Sequence, residues 1–572
     1  MLPFDTHEVF NQAPPFADVN LFTCDSALRE AVTREGAGWA GAALTALGAE
    51  LGSAEVLDLG RQANVHPPRL HSVDRAGRRI DAIEFHPAWH RLMTLMIAAG
   101  VQASPWQQPG PGAQVARAAA FMLFGQVENG IQCPVTMSYA AVPALARAGA
   151  VAPALAAAWL PKILSRQYDP RPLPVAQKRG VLIGMGMTEK QGGSDVRANT
   201  TVATVGADGA AGAWQIVGHK WFFSAPQADA HLVLAQVADH GLTCFLLPRF
   251  LDDGSHNAIR VQRLKDKLGN RSNASAEVEF TGASGFLVGR PGRGLATILD
   301  MVGHTRLDCV LGSGSIMRAA LAHALHHARG RAVFGRLLAT QALMQNVLAD
   351  LALESEAATA FALRLARCFD SAGEQGDSSD ALLARVLTPA GKYWICKRAP
   401  AVCAEAMEVM GGNGYVEDGP LARLYREAPV NSIWEGSGNV MCLDVLRAFA
   451  RTPAALDALA AELALPPGAP ELATVTPHYA RYAAALLGDL RNGAGGEAAQ
   501  YGARRLAERI VLAVQAGLLL RHAPAFVAGA FVTSRLGEGA EGGNVGGAFG
   551  RLPPGIDCAA ILARALADGI TI

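Results

Sequence analysis

The sequence predicts a mainly helical chain interrupted by one β-rich domain, with a further helical segment at its C-terminal end. Three observations carry that reading. The chain is 572 residues long, half hydrophobic and only 17% charged, enough to fill several cores. Ala-rich helical periodicity dominates up to about residue 175 and returns from Gly294 onward. Between Val181 and Gly289 the pattern changes to short β-like runs separated by Gly, Asp and Asn turns.

Lys+Arg and Asp+Glu balance at 50 each, so net charge points to neither nucleic acid nor an anionic membrane. Nine cysteines without a Cys-x-x-Cys pair argue for a reducing compartment and against structural zinc. Met1–Asn11 lacks the basic start and apolar run of a signal peptide. No apolar run approaches the ~20 residues of a spanning helix, and Gln515 interrupts Ile510–Leu520. A cytoplasmic protein without a membrane partner is expected.

Residues 1–178 read as a helical domain. Gly112–Gln126 and Ala140–Leu160 are amphipathic, Asp25 can cap a helix start, and Pro67-Pro68, Pro105–Pro111 and Pro170–Pro174 break the pattern. His86 and His90 are four apart, but Pro87 and the lack of a third ligand argue against a metal. In residues 179–290, Trp214–Val217, His231–Val237, Thr243–Leu247 and Ala276–Phe280 read as strands. No ten-residue helix separates them, so an antiparallel sheet or small barrel is expected, not βαβ units. Gly184-Met-Gly186 starts like a dinucleotide fingerprint, but Glu189 stands at the third glycine position.

Residues 291–450 predict a bundle from Thr305–Arg329, Gln341–Asp370, Ala381–Met410 and Val440–Phe449. Residues 451–572 begin with a Pro-containing linker, Leu465–Pro470. Helices around Tyr479–Leu490 and Gly502–Leu520 follow, then a Gly-rich loop, Gly537–Gly550, and a short helix near Ala559–Ala567.

Asn431–Leu443 organises the candidate chemistry. It places one carboxylate, Glu435, between Trp434 and a Gly-Ser-Gly turn that opens a helix, where free backbone N–H groups can receive an anionic or carbonyl-rich ligand. The alternative is an ordinary first-turn glutamate favoured by the helix dipole. Met187–Asp195 joins two glycines to hydroxyls that suit a polar ring or phosphates, or forms a plain interdomain turn. Trp221-Phe222-Phe223-Ser224 is an aromatic cluster that could wall a heterocycle or fill a core. Arg331 precedes a turn and could pair with phosphate or lie at the surface.

In this order, Met-Thr-Glu…Gly-Ser-Asp (187–195), Lys-Trp-Phe-Phe-Ser (220–224), Arg-x-x-Phe-Gly (331–335), Gly-Gly-Asn-Gly-Tyr (411–415) and Trp-Glu-Gly-Ser-Gly-Asn (434–439) resemble the acyl-CoA dehydrogenase flavoproteins. Thr33–Trp39, Met185–Val196, Leu264–Ala274, Ile433–Asn439 and the C-terminal extension are similar to the adaptive-response branch of that family.

The resemblance implies an acyl-CoA dehydrogenase-like fold: a helical N-domain, a middle β-barrel, a four-helix bundle and an additional helical domain. It implies FAD, contacted by Met185, Gly186, Met187, Thr188, Glu189, Lys190, Gln191, Gly192, Gly193 and Ser194, and by Phe222, Phe223 and Ser224. Ile433, Trp434, Glu435, Gly436, Ser437, Gly438, Asn439, Val440, Met441, Cys442 and Leu443 would close the site. Arg331, Gly411 and Gly412 would reach the FAD of a neighbouring subunit in a homotetramer. Glu435 falls on the position of the catalytic base, and Thr305 occupies the alternative base position of the isovaleryl-type branch.

The branch is further associated with double-stranded DNA and the response to DNA alkylation. Residues 451–572 hold ten Arg, no Lys and ten acidic residues, so no basic excess supports this independently. Arg504, Arg505, Arg509 and Arg521 are the local candidates, and a solvated helix face is the alternative. Three readings follow: a DNA-binding alkylation-response flavoprotein with weak, isovaleryl-CoA-like dehydrogenase activity; a working acyl-CoA dehydrogenase; or a scaffold with structural FAD.

Overall fold

The computed structural model describes residues 6–149, 152–206, 213–370, 378–466, 470–493, 496–536 and 547–567. The chain forms two compact units: residues 55–113 with 127–308, and residues 1–54, 114–126 and 309–572. The expected boundaries near 178, 290 and 450 do not coincide with this division. The 37-residue helix Gly294–Gly330 runs through the change between units.

In the first of these units, β1 (Arg69–Val73) and β2 (Arg79–Glu84) form an antiparallel hairpin within the stretch read as helical. Its turn is local chemistry: Asp74 accepts from the Ala76 and Arg78 amides, and Gly77 has φ +79°. The larger sheet contains β3 (Ile183–Gly186), β4 (Val202–Val205), β5 (Ala213–Ser224), β6 (Ala230–Val237), β7 (Gly241–Pro248), β8 (Ile259–Leu264) and β9 (Ser275–Val288). Its order is β3-β5-β4-β6-β7-β9-β8, and the added β5–β9 pairing closes a small barrel. Most pairs are antiparallel, but β3–β6 and β4–β6 are parallel.

Alternation explains the barrel core. Val278 and Phe280 of β9 are buried beside Ile216, Phe223, Val233 and Phe245, whereas Glu279 between them faces water. β3 and β4 are too short to announce themselves by periodicity.

In the other unit, helix Ser379–Met410 packs against helices Ala342–Cys368 and Gly438–Arg451, and its Cys396 bonds the Cys309 carbonyl of Gly294–Gly330. A two-residue hairpin, β10 (Ala332–Val333) and β11 (Arg336–Leu337), turns at Phe334 (φ +54°) and Gly335 (φ +77°). The C-terminal segment adds helices Ala454–Leu463, Thr476–Arg491, Gly496–His522, Ala525–Leu536 and Cys558–Ala565. Residues 537–546 of the expected Gly-rich loop lie outside the described residues, as do 467–469 of the linker.

Buried ion pairs dock this segment. Arg535 reaches Asp350 and Glu354, Arg398 reaches Glu354, and Arg564 pairs with Glu30 and Glu356. Glu354 is buried, which raises its carboxyl, yet Arg398 and Arg535 hold it below its ordinary value.

Candidate functional site

Two groups of residues, one in each unit, carry the expected chemistry.

In the barrel unit, β3 delivers Met185 and Gly186 at Ser224 of β5. Both strands turn bulk inward. Met185 is buried and Phe223 fully so, and a Cβ on Gly186 would meet the Phe223 ring at 2.5 Å. The side chains of Met185 and Phe223 therefore pack in the core, which leaves their backbone to face a ligand.

The Glu189 side chain also turns inward. Its carboxylate is fully buried and binds Lys220 Nζ (2.8 Å), the hydroxyls of Thr200 (3.0 Å) and Thr201 (2.6 Å), and Gln191 Nε2 (2.9 Å). Burial raises the Glu189 carboxyl, but those partners outweigh it and hold the group well below the usual carboxylate range. Burial pushes Lys220 down to about 8 against the opposing pull of Glu189. This pair braces the loop from inside.

The surface of the loop differs. Lys190, Gln191, Gly192, Gly193 and Ser194 are exposed; Gly192 has φ +127° with open space where a Cβ would stand. Met187 and Thr188 are half-buried, and a Cβ on Gly193 would meet the Thr188 hydroxyl at 2.3 Å. Phe222 is 54% exposed, an unusual position for a phenylalanine beside a core strand. The hydroxyls of Thr188, Ser194 and Ser224 have no protein partner among the described residues. An exposed aromatic wall, open backbone and unpaired hydroxyls fit a flat, polar, phosphate-bearing group such as FAD.

In the bundle unit, Glu435 sits on a turn held from several sides. Asn431 donates to Ser313 Oγ at 3.2 Å and accepts from Trp434 Nε1 at 3.0 Å, so the indole before Glu435 is tied to the long helix. Glu435 has φ +58° and Gly436 φ +99°, two successive left-handed residues. Lys392 Nζ donates to the Gly436 carbonyl at 2.7 Å. Ser437 then opens the Gly438–Arg451 helix without a side-chain cap, and a Cβ on Gly438 would press within 3.4 Å of Lys397 and Tyr393.

Within the expected closing segment, Ile433, Ser437 and Asn439 are exposed, while Trp434, Glu435, Gly436, Val440 and Leu443 are half-buried. Met441 and Cys442 are buried, and burial pushes the Cys442 thiol up to about 11. Thr305 is buried and bonds back to the Val302 carbonyl, leaving no carboxylate at the alternative base position.

Arg331 donates to the Asn11 carbonyl at 2.7 Å, and both amide atoms of Asn11 bond the backbone of Ala332. This arginine is thus engaged within its own chain. Gly411 (φ +60°) ends the Ser379–Met410 helix, and both Gly411 and Gly412 face open space.

The four C-terminal arginines divide. Arg521 caps the Ala454–Leu463 helix through the Glu462 and Ala464 carbonyls and pairs with the Glu462 carboxylate, so its guanidinium is engaged within its own chain. Arg509 pairs with Asp489 and lies over the Tyr482 ring. Arg504 bonds Asn439 Oδ1. Arg505 is exposed and has no hydrogen-bond or ion-pair partner among the described residues.

Sequence reasoning missed Lys392, for which a lysine amid an otherwise apolar helical run was the signal available, and it included Asn431 in the Asn431–Leu443 stretch without giving it a role. Among the described residues no group of His, Cys, Asp or Glu is arranged for a metal, and no helix is long and apolar enough to cross a membrane.

The barrel and bundle are the fold of the acyl-CoA dehydrogenases. Residues 184–283 and 292–450 match the models of the acyl-CoA dehydrogenase middle and C-terminal domains, and residues 11–170 match the adaptive response protein AidB N-terminal domain. The Escherichia coli K12 protein named "Putative acyl-CoA dehydrogenase AidB" is 55% identical over 457 residues, covering 80% of this chain and 83% of that protein. Acyl-CoA dehydrogenase family member 11 of Caenorhabditis elegans is 33% identical over 411 residues, covering 69% and 65%. The crystal structure of C. elegans ACDH-11 in complex with C11-CoA superposes with a TM-score of 0.83 at 27% identity, covering 93% of this chain and 94% of that one. The chain belongs to the acyl-CoA dehydrogenase family of FAD flavoproteins, in its AidB-like branch.

Proposed function

We propose that the protein is an FAD-containing flavoprotein of the adaptive response to DNA alkylation, able to bind double-stranded DNA and to oxidise acyl-CoA thioesters weakly. The observation that carries the reading is the 55% identity to the E. coli AidB protein across most of both chains, with the AidB-type N-terminal match alongside. A homotetramer belongs to the same reading; Phe334 (95% exposed), Tyr415 (80%) and Leu343 (78%) are apolar surface suited to subunit contacts.

In this reading Thr188, Ser194, Ser224 and Phe222 hold FAD, which supplies a hydride acceptor when bound. Glu435 takes the α-proton of the thioester. Its turn is held by Asn431, Trp434 and Lys392, so the carboxylate is presented in one orientation. Arg505 and the outer edge of Arg504 are what the Gly496–His522 helix offers to phosphates.

A working acyl-CoA dehydrogenase is the second reading, favoured by the intact Glu435 turn and by the C11-CoA complex of the C. elegans relative. Anaerobic titration of the yellow protein with isovaleryl-CoA and C11-CoA, with and without duplex DNA, tests both. DNA retention with slow bleaching is expected. Prompt bleaching without salt-sensitive DNA binding would replace the first reading with the second.

A further inference from the structure

Three lysines are buried among the described residues: Lys178 (2% exposed), Lys220 (1%) and Lys392 (1%). The first two meet carboxylates, Lys178 with Asp229 at 2.9 Å and Lys220 with Glu189 at 2.8 Å. Among the described residues Lys392 meets none, and its one hydrogen bond there goes to the carbonyl of Gly436, next to Glu435. An ammonium carries three N–H donors, so two remain unused in the interior. One turn earlier on the same helix, the Thr388 hydroxyl is also buried without a partner. A buried cation without a counter-charge is costly, and buried polar groups left unpaired call for an explanation.

Helix geometry puts the charge where it can act. Lys392 lies within the Ser379–Met410 helix, fixed by Cys396 bonding the Cys309 carbonyl one turn later. The carbonyl it grips closes a turn of two left-handed residues, of which only Gly436 adopts that conformation freely. Without the grip, Glu435 would relax toward ordinary backbone angles and its carboxylate would swing.

We propose that Lys392 is the positioning residue of the Glu435 turn, and that its unmatched charge serves the negative charge the reaction carries there, on Glu435 before the proton moves and on the thioester after it. This rests on the reading of Glu435 as the base. The α-C–H bond of the thioester breaks, its proton goes to Glu435, and the β-hydride leaves to the flavin with its electron pair, forming the enoyl thioester. Negative charge passes from the Glu435 carboxylate to the thioester as the α-proton departs, and a buried cation beside the turn faces that charge throughout the transfer without solvent reorganisation.

The experiment uses the full-length, FAD-loaded protein as wild type, Lys392→Met, Lys392→Gln and Lys392→Arg, each also carrying Glu435→Gln. Hydrogen–deuterium exchange of residues 431–443 is followed beside flavin content and melting temperature, and bleaching by C11-CoA is timed anaerobically. Lys392→Met is expected to speed exchange of that segment roughly tenfold or more, with FAD retained. Lys392→Gln keeps a donor for Gly436 and should exchange nearly as wild type, yet bleach roughly tenfold or more slowly at saturating thioester, with half-saturation within about twofold. Lys392→Arg should recover most of that rate.

Unchanged exchange in Lys392→Met, in either background, overturns the positioning role; wild-type bleaching in Lys392→Gln overturns the charge role. If the wild type itself never bleaches, the base reading falls, while exchange in the Glu435→Gln background still decides the positioning role. Should Lys392→Met fail to fold, Lys392→Gln against Lys392→Arg carries the decision, and equal rates in the two overturn the proposal.

Discussion

Arg504 donates from Nε to the side-chain oxygen of Asn439 at 2.9 Å, with its guanidinium 5.9 Å from the centre of the Tyr393 ring. One of these residues was expected to contact a flavin and the other DNA. Their contact joins the C-terminal segment to the first turn of the helix that follows Glu435.

Duplex binding, if carried by this helix, should separate the four arginines. Arg505→Ala is expected to lower the salt slope of binding by about 1 with no change in melting temperature. Arg521→Ala should leave the slope alone and lower stability, because it strips a helix end of its cap and Glu462 of one of its two arginine partners. Fluorescence anisotropy of a labelled duplex across about 50–200 mM salt reads both. Equal slopes for wild type and Arg505→Ala would remove this helix from the interface.

Glu435→Gln should abolish bleaching by acyl-CoA while FAD stays bound, since the amide keeps the shape of the turn but cannot accept the proton. Flavin absorbance before and after desalting gives retention, and loss of the cofactor would count against the base role.

The Glu189–Lys220 pair predicts a large, non-additive stability effect. Glu189→Gln leaves a buried ammonium unpaired and should cost about 3–5 kcal/mol, whereas Glu189→Gln with Lys220→Met should recover part of it. Denaturant melts of the four proteins close the cycle. Simple additivity would mean that the pair does not act as a unit.

His231 predicts acid sensitivity of the barrel unit. Its Nε2–H donates to the Ala225 carbonyl, its ring stacks on Phe223 with centroids 4.0 Å apart, and burial pushes its pKa down to about 3. Because the folded value lies below the unfolded one near 6.5, the unfolded chain binds more protons between them. Stability from this group is therefore complete above pH ~6.5 and falls as pH drops toward about 3. Each unit of separation is worth about 1.4 kcal/mol, so the first two units cost on the order of 3 kcal/mol. His231→Phe should flatten the stability profile between about pH 6.5 and 4.5; an unchanged profile would place the acid sensitivity elsewhere, His323 being the next such group.

The sequence by itself determined the classes of element and the order of motifs. Apolar period 3.6 marked the long helices, alternation marked β9, and the glycines and hydroxyls of 187–195 with Glu435 in its Gly-Ser-Gly turn marked the chemistry. These are local properties, written in neighbouring residues. Tertiary structure decided which side chains remain available. Glu189 and Arg521 look functional in the sequence but are consumed by buried partners 31 and 59 positions away. Lys392 looks like one polar residue in a helix, yet it holds a carbonyl 44 positions away. The closure of the barrel by β5–β9 likewise arises from long-range pairing. Charge and hydrogen-bond satisfaction are settled between distant residues on folding, and no local pattern records the outcome.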